Sequence, residues 1–273
     1  MSSSNLAAAI AATVVLCALL PAPRALGQTR AESNGPDAAA SERRGIGSDL
    51  KAYISAPAHW NGKDWLKLGG TLGAIAIAYQ RDGEVRDHFA PISDSTATTD
   101  TQDLHDALPA ALALGGTWLY ATIIDDNDGR REAAAMVEAA VFSSATAFVL
   151  KEATGRARPY ISTDPADWSS GGDSFPSMHV TAAFAIGTVL AESGNDRYRW
   201  LRRVLGYGLA VGTAYERLDH NAHWLSDTVA GAGLGMATAR FVMNRSGDES
   251  ARTAFVAAPL DGGAMLSFSR ALR

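Results

Sequence analysis

The chain has 273 residues, 47% hydrophobic and 19% charged, which excludes a disordered polymer and is long enough to bury a core. With 24 Lys and Arg against 29 Asp and Glu, the net charge is −5 and no basic face is available for a nucleic acid. A mean hydropathy of −0.03 argues against a protein held mostly in lipid.

The first residues read as an address. Leu6 to Leu20 is an apolar run of signal-peptide length, followed by Pro21, Pro23 and the small-residue pattern Ala25-Leu26-Gly27. The segment before it, Met1 to Asn5, has no Lys or Arg, so an uncleaved N-terminal anchor is the competing reading. Residues 1–27 therefore predict export, to the periplasm in a Gram-negative cell, or an anchor with the domain on that side. The single cysteine, Cys17, lies inside the run, so the mature chain has no disulfide. Residues 28–47 read as a flexible leader, 48–250 as one helical domain without linker or repeat, and 251–273 as a tail.

Charge-free runs size the helices: Leu68–Gln80, Ala107–Ile124, Ala139–Leu150, Val180–Ala191, Val204–Tyr215 and Thr228–Ala239. Only Ala107–Ile124 reaches the ~18 residues a membrane span needs, and it holds Pro109 and Gly115-Gly116. The expected fold is all-α, a compact bundle of about six core helices rather than six membrane spans. In the tail, Ala254–Ala257 and Met265–Ser269 flank Pro259 and Asp261-Gly262-Gly263, the pattern of a β-hairpin.

Three clusters hold the chemistry. The first runs from Lys151 to Arg158-Pro159. A spacing of seven lets Lys151 and Arg158 share one helix face, and Pro159 marks the helix end. Two cations there would also complement the helix dipole. The second, Ser174-Phe175-Pro176-Ser177-Met178-His179, leads into an apolar helix whose unpaired N–H groups suit an oxyanion, although Ser177 would equally serve as an ordinary N-cap. The third contains Glu216-Arg217, His220, His223 and Asp227. Asp227, four residues after His223, can reach the imidazole Nδ1–H and leave Nε2 as a nucleophile or base. A metal site from His220, His223 and Asp227 matches no usual zinc spacing.

Together the clusters resemble the type 2 phosphatidic acid phosphatase family, which shares its site with bacterial acid phosphatases and vanadium haloperoxidases. The family pattern is Lys-x6-Arg-Pro, Pro-Ser-Gly-His and Ser-Arg-x5-His-x3-Asp. Here it reads Lys151-x6-Arg158-Pro159, Pro176-Ser177-Met178-His179 and Glu216-Arg217-x5-His223-x3-Asp227. Met178 stands where the family has Gly, and Glu216 where it has Ser. The resemblance implies that Lys151, Arg158, Ser177, Met178 and Arg217 bind the phosphate. It assigns His223 as nucleophile, Asp227 as its orienting carboxylate and His179 as acid and base. It implies no metal or organic cofactor, and an acidic-to-neutral optimum.

The expected function is an exported phosphatase acting on phosphomonoesters or lipid-linked phosphates, at the membrane surface in the second case. A haloperoxidase would need a second helical bundle for which the chain lacks room. A non-catalytic anion-binding scaffold would not need both histidines. Residues 160–173 read as a loop beside the site, with Trp168 either over the substrate or buried.

Overall fold

The computed structural model describes residues 46–90, 112, 114–120, 123, 126–193, 198–246, 253–260 and 263–270. The expected signal peptide, and the leader up to residue 45, lie outside them.

The described fold is helical. Helix α1 (Ile46–Ser55) passes through a 3-10 turn (Ala56–His59) into α2 (Gly62–Tyr79). Asn61 starts α2 with a capping box: its side chain accepts from the Lys63 and Asp64 N–H groups, and Asp64 accepts from the Asn61 N–H. Helix α3 (Asp82–Phe89) follows, residues 114–120 are helical, and then come α4 (Asn127–Thr154), α5 (Met178–Glu192), α6 (Arg199–Asp219) and α7 (Leu225–Ser246).

Helix α5 is the centre. Ten of its 15 residues are buried, as expected of a helix apolar all round, and α4, α6 and α7 pack on it. Glycines set how closely two of them approach. A Cβ on Gly206 of α6 would lie 2.4 Å from the Gly187 carbonyl oxygen, and one on Gly235 of α7 would lie 2.3 Å from that of Thr181. Val180, Phe184, Ala210, Ala214 and Met236 fill one side of α5, and Met136, Ala139, Val189 and Val242 the other. Helices α2 and α3 close the site end, where Ala78, Val85 and Phe89 meet Leu218, Leu225 and Val229.

Charge-free runs undersize these helices. The run 139–150 stops at Glu138 and Lys151, but α4 continues through both, because a charged side chain does not end a helix. At 27 residues and a mean hydropathy of 1.7, Asp128–Thr154 is long and apolar enough to cross a membrane, and only 33% of its apolar window is buried. Trp65, Leu66, Leu72 and Ile77 of α2, Phe148 and Val149 of α4, and Trp200 and Val204 of α6 are each more than half exposed. The outer surfaces of α2, α4 and α6 thus present large apolar side chains.

The expected C-terminal hairpin is not supported as part of this fold. The backbone there runs as two paired segments, 253–260 and 263–270, whose side chains lie outside the described residues.

Candidate active site

The site forms where the α4–α5 loop meets the α6–α7 connection. Gly155, in the left-handed region at φ 55°, ends α4 immediately after Thr154. Lys151 therefore lies in the last helical turn while Arg158 lies in the loop. The two do not share a helix face as the spacing predicted; glycine stops the helix before Pro159 can. The loop is stitched to itself: Ser170 and Gly172 N–H groups donate to the Gly155 carbonyl, Ser174 N–H to that of Arg156 at 2.9 Å, and Ala157 N–H to that of Asp167. Gly172 is required there, since a Cβ would lie 2.3 Å from the Arg156 carbonyl oxygen.

The loop's first residue with a side chain, Arg156, is wholly buried. Its guanidinium donates to Asp82 Oδ2 (2.7 Å), Asp227 Oδ1 (2.6 Å), Ser226 Oγ (2.8 Å) and the Pro165 carbonyl (2.7 Å). Trp168 lies on the same guanidinium, 4.5 Å from its ring centre, and Trp224 lies 5.2 Å away. Trp168 is thus engaged by Arg156. This network ties α3, the loop and the start of α7 together.

Arg158 makes a two-pronged pair with Asp173, Nε to Oδ1 at 2.7 Å and Nη2 to Oδ2 at 2.6 Å. Lys151 Nζ donates to the Asp173 carbonyl. Ser177 sits at the N-cap of α5 without a capping bond from its side chain, and its buried Oγ has no hydrogen-bond partner. Met178 and His179 begin α5, so their N–H groups are among those with no intrahelical acceptor. The Ser177 N–H donates to the Asp227 carbonyl at 3.1 Å.

Glu216 and Arg217 occupy the last turn of α6, Arg217 buried and Glu216 half-buried. Asn221, at φ 50°, turns the chain, and His223 follows in the connection, two residues before α7 begins. His223 and Asp227 therefore do not share a helix face. The His223 Nδ1–H donates to the Ser174 carbonyl at 2.8 Å, and the nearer Asp227 oxygen is 3.7 Å off. The Asp227 carboxylate accepts instead from Arg156, from Ser174 Oγ (2.5 Å) and from the Trp224 N–H (2.9 Å). Asp227 thus reaches His223 through Ser174. Burial, with the positive field of Lys151, Arg158 and Arg217 and the proximity of His179, holds His223 well below the ordinary imidazole range.

The cations Lys151, Arg158 and Arg217, with His179 at the start of α5, therefore converge on His223. Sequence reasoning did not single out Arg156, Asp173 and Asp82. The first two lie within or beside quoted clusters, but Asp82 is 74 residues from Arg156 and left no local signal. Among the described residues no group of three or more His, Cys, Asp or Glu side chains gathers as a metal site.

The PAP2 superfamily matches residues 132–250, the stretch from α4 to just beyond α7 that holds every one of these convergent groups. Over these residues the chain is similar to the PAP2 superfamily. The chain is also similar to the lipid A 1-phosphatase of Porphyromonas gingivalis, 38% identical over 64 residues. That stretch covers 23% of this chain and 14% of the relative's length. No solved structure matches.

Proposed function

We propose that the protein is a membrane-associated phosphatase that hydrolyses phosphate monoesters, lipid-linked ones included, through a phosphohistidine on His223. The observation that supports this most directly is the state of His223. Its Nδ1–H is committed to the Ser174 carbonyl, so a neutral ring leaves the Nε2 lone pair available among three cations.

In this reading Lys151, Arg158, Arg217, the Ser177 hydroxyl and the N–H groups of Met178 and His179 hold the phosphoryl oxygens and neutralise charge in the transition state. His223 Nε2 attacks phosphorus in line while His179 gives a proton to the departing oxygen. His179 then takes a proton from water, whose oxygen attacks phosphorus as the P–N bond breaks, releasing phosphate and neutral His223. Asp227 keeps Ser174 in place and favours the positive charge that develops on His223. Met178 contributes through its backbone. Glu216 places a carboxylate where the family carries Ser, which weakens anion affinity rather than the chemistry. The scheme requires no metal.

Membrane association draws on the exposed apolar residues of α2, α4 and α6 and on the length of α4. A lipid-linked substrate also agrees with the lipid A 1-phosphatase of Porphyromonas gingivalis to which the chain is similar. The reading places the site on the periplasmic side after export.

The test is rapid quench with a labelled aryl phosphate. His223→Ala should give neither turnover nor labelled protein. His179→Ala should accumulate acid-labile label on His223, because the first step with a good leaving group needs little acid help while the second still needs its base. Label on another residue, or full activity in His223→Ala, would overturn the assignment.

A further inference from the structure

The two loop-side cations of the site are both engaged by one residue of the chain. Arg158 spends Nε and one face of Nη2 on the Asp173 carboxylate. Lys151 holds the carbonyl of the same residue. On either side, Gly172 and Ser174 are fixed by backbone bonds to Gly155 and Arg156, and Ser174 in turn holds His223. The Asp173 backbone is therefore anchored at the site, while its side chain is 58% exposed and has room to turn away. A carboxylate in a guanidinium fork makes the same paired contacts as two oxygens of a phosphate.

Resting on the phosphatase reading above, we propose that Asp173 is a tethered competitor for the phosphate site. Its carboxylate occupies the Arg158 fork in the free protein and must leave when a phosphoryl group binds. A tethered anion loses no translational freedom on binding, so it competes even where free carboxylates do not. Entry of substrate then carries the cost of opening the fork. Return of Asp173 after hydrolysis helps expel the product, an anion that would otherwise linger among three cations. Arg158 also holds the Asp173 carboxyl below the ordinary carboxylate range, so the competitor stays charged across the working pH range.

The experiment measures binding of inorganic phosphate and of vanadate to the full chain by calorimetry, for the wild type, Asp173→Asn and Asp173→Glu. Asp173→Asn should bind both anions roughly fivefold more tightly, the scale of one half-exposed ion pair. Asp173→Glu, which keeps a carboxylate, should stay close to wild type. Steady-state turnover of Asp173→Asn should show KM falling and product inhibition growing. Equal or weaker anion binding in Asp173→Asn would overturn the proposal, since Asp173 would then be inert or would position Arg158 for substrate. If neither anion binds the wild type, the phosphate-site reading itself fails and takes this one with it. Asp173→Ser, with the same expectation, serves as the second variant should Asp173→Asn fold poorly.

Discussion

Replacing Arg156 by Leu should be among the most damaging single changes in the domain. Arg156, Asp82 and Asp227 all have side chains with no exposure, so the two carboxylates would face one another in the interior with no cation between them. Breaking a buried ion pair by removing one partner costs about 3–5 kcal/mol, because the remaining charge is left uncompensated. Here two charges are stranded, and the stacking on Trp168 and Trp224 goes with them. For a domain of this size the loss corresponds to a fall of roughly 6–20 °C in Tm. It should also depend on pH in a definite direction. Burial already holds both carboxyls above the ordinary carboxylate range, and without Arg156, which opposes that shift, they rise further above the unfolded value. The folded state then binds more protons than the unfolded one, and stability falls as pH rises. Thermal unfolding of the purified protein, followed by tryptophan fluorescence at several pH values, measures both effects. Arg131→Leu is the control, since its pair with Asp128 is exposed at 64% and 89% and is worth about 0–1 kcal/mol. Adding Asp82→Asn to Arg156→Leu should recover part of the loss. A loss under about 1 kcal/mol, or one that does not change with pH, would show that Arg156 acts through packing alone.

Ser177→Ala should leave Tm unchanged or slightly raised, since the buried Oγ bonds to nothing in the fold, yet lower kcat/KM about ten- to a hundredfold by removing a donor to the phosphoryl group; unchanged kinetics would remove Ser177 from the cradle. Because burial and neighbouring cations depress His223, its neutral form should persist to well below pH 6.5, so the acid limb of kcat/KM should lie below that pH. An imidazole that titrates near 7 in the free protein, read by NMR, would contradict this. Gly187→Ala puts a methyl 2.4 Å from the Gly206 carbonyl oxygen and should destabilise by about 1–3 kcal/mol, measured as a lower Tm.

The residues that gather at the candidate site were more legible in the sequence than their geometry. Lys151, Arg158, Ser177, His179, Arg217 and His223 could be chosen because each residue type matches a task in handling phosphate and their order matches a family. Their geometry was less accessible. A spacing of seven suggested a shared helix face, but one left-handed glycine at 155 moved Arg158 into a loop. A spacing of four suggested direct contact between His223 and Asp227, but the helix begins only at Leu225, so the Ser174 carbonyl takes the imidazole N–H. Asp82 was illegible for a different reason. Its partner Arg156 is distant in the chain, and a buried acid at a helix start looks in sequence like any N-terminal aspartate. Helix length was misjudged at Glu138 and Lys151 because charge patterning reports exposure and not where backbone hydrogen bonding stops.

The stitching of the loop bears on how fast the site can work. With Gly172 and Ser174 both bonded to the strand of chain that leaves α4, opening the Arg158 fork requires no hinge and no displacement of the main chain. Rotation about the side-chain bonds of one half-exposed aspartate is enough, an event of nanoseconds or less once its ion pair lets go. Lid-gated enzymes wait microseconds to milliseconds for the same access. On the proposed function, turnover would then be paced by bond-making at phosphorus or by the arrival of substrate, and added viscosity should slow it only through the latter.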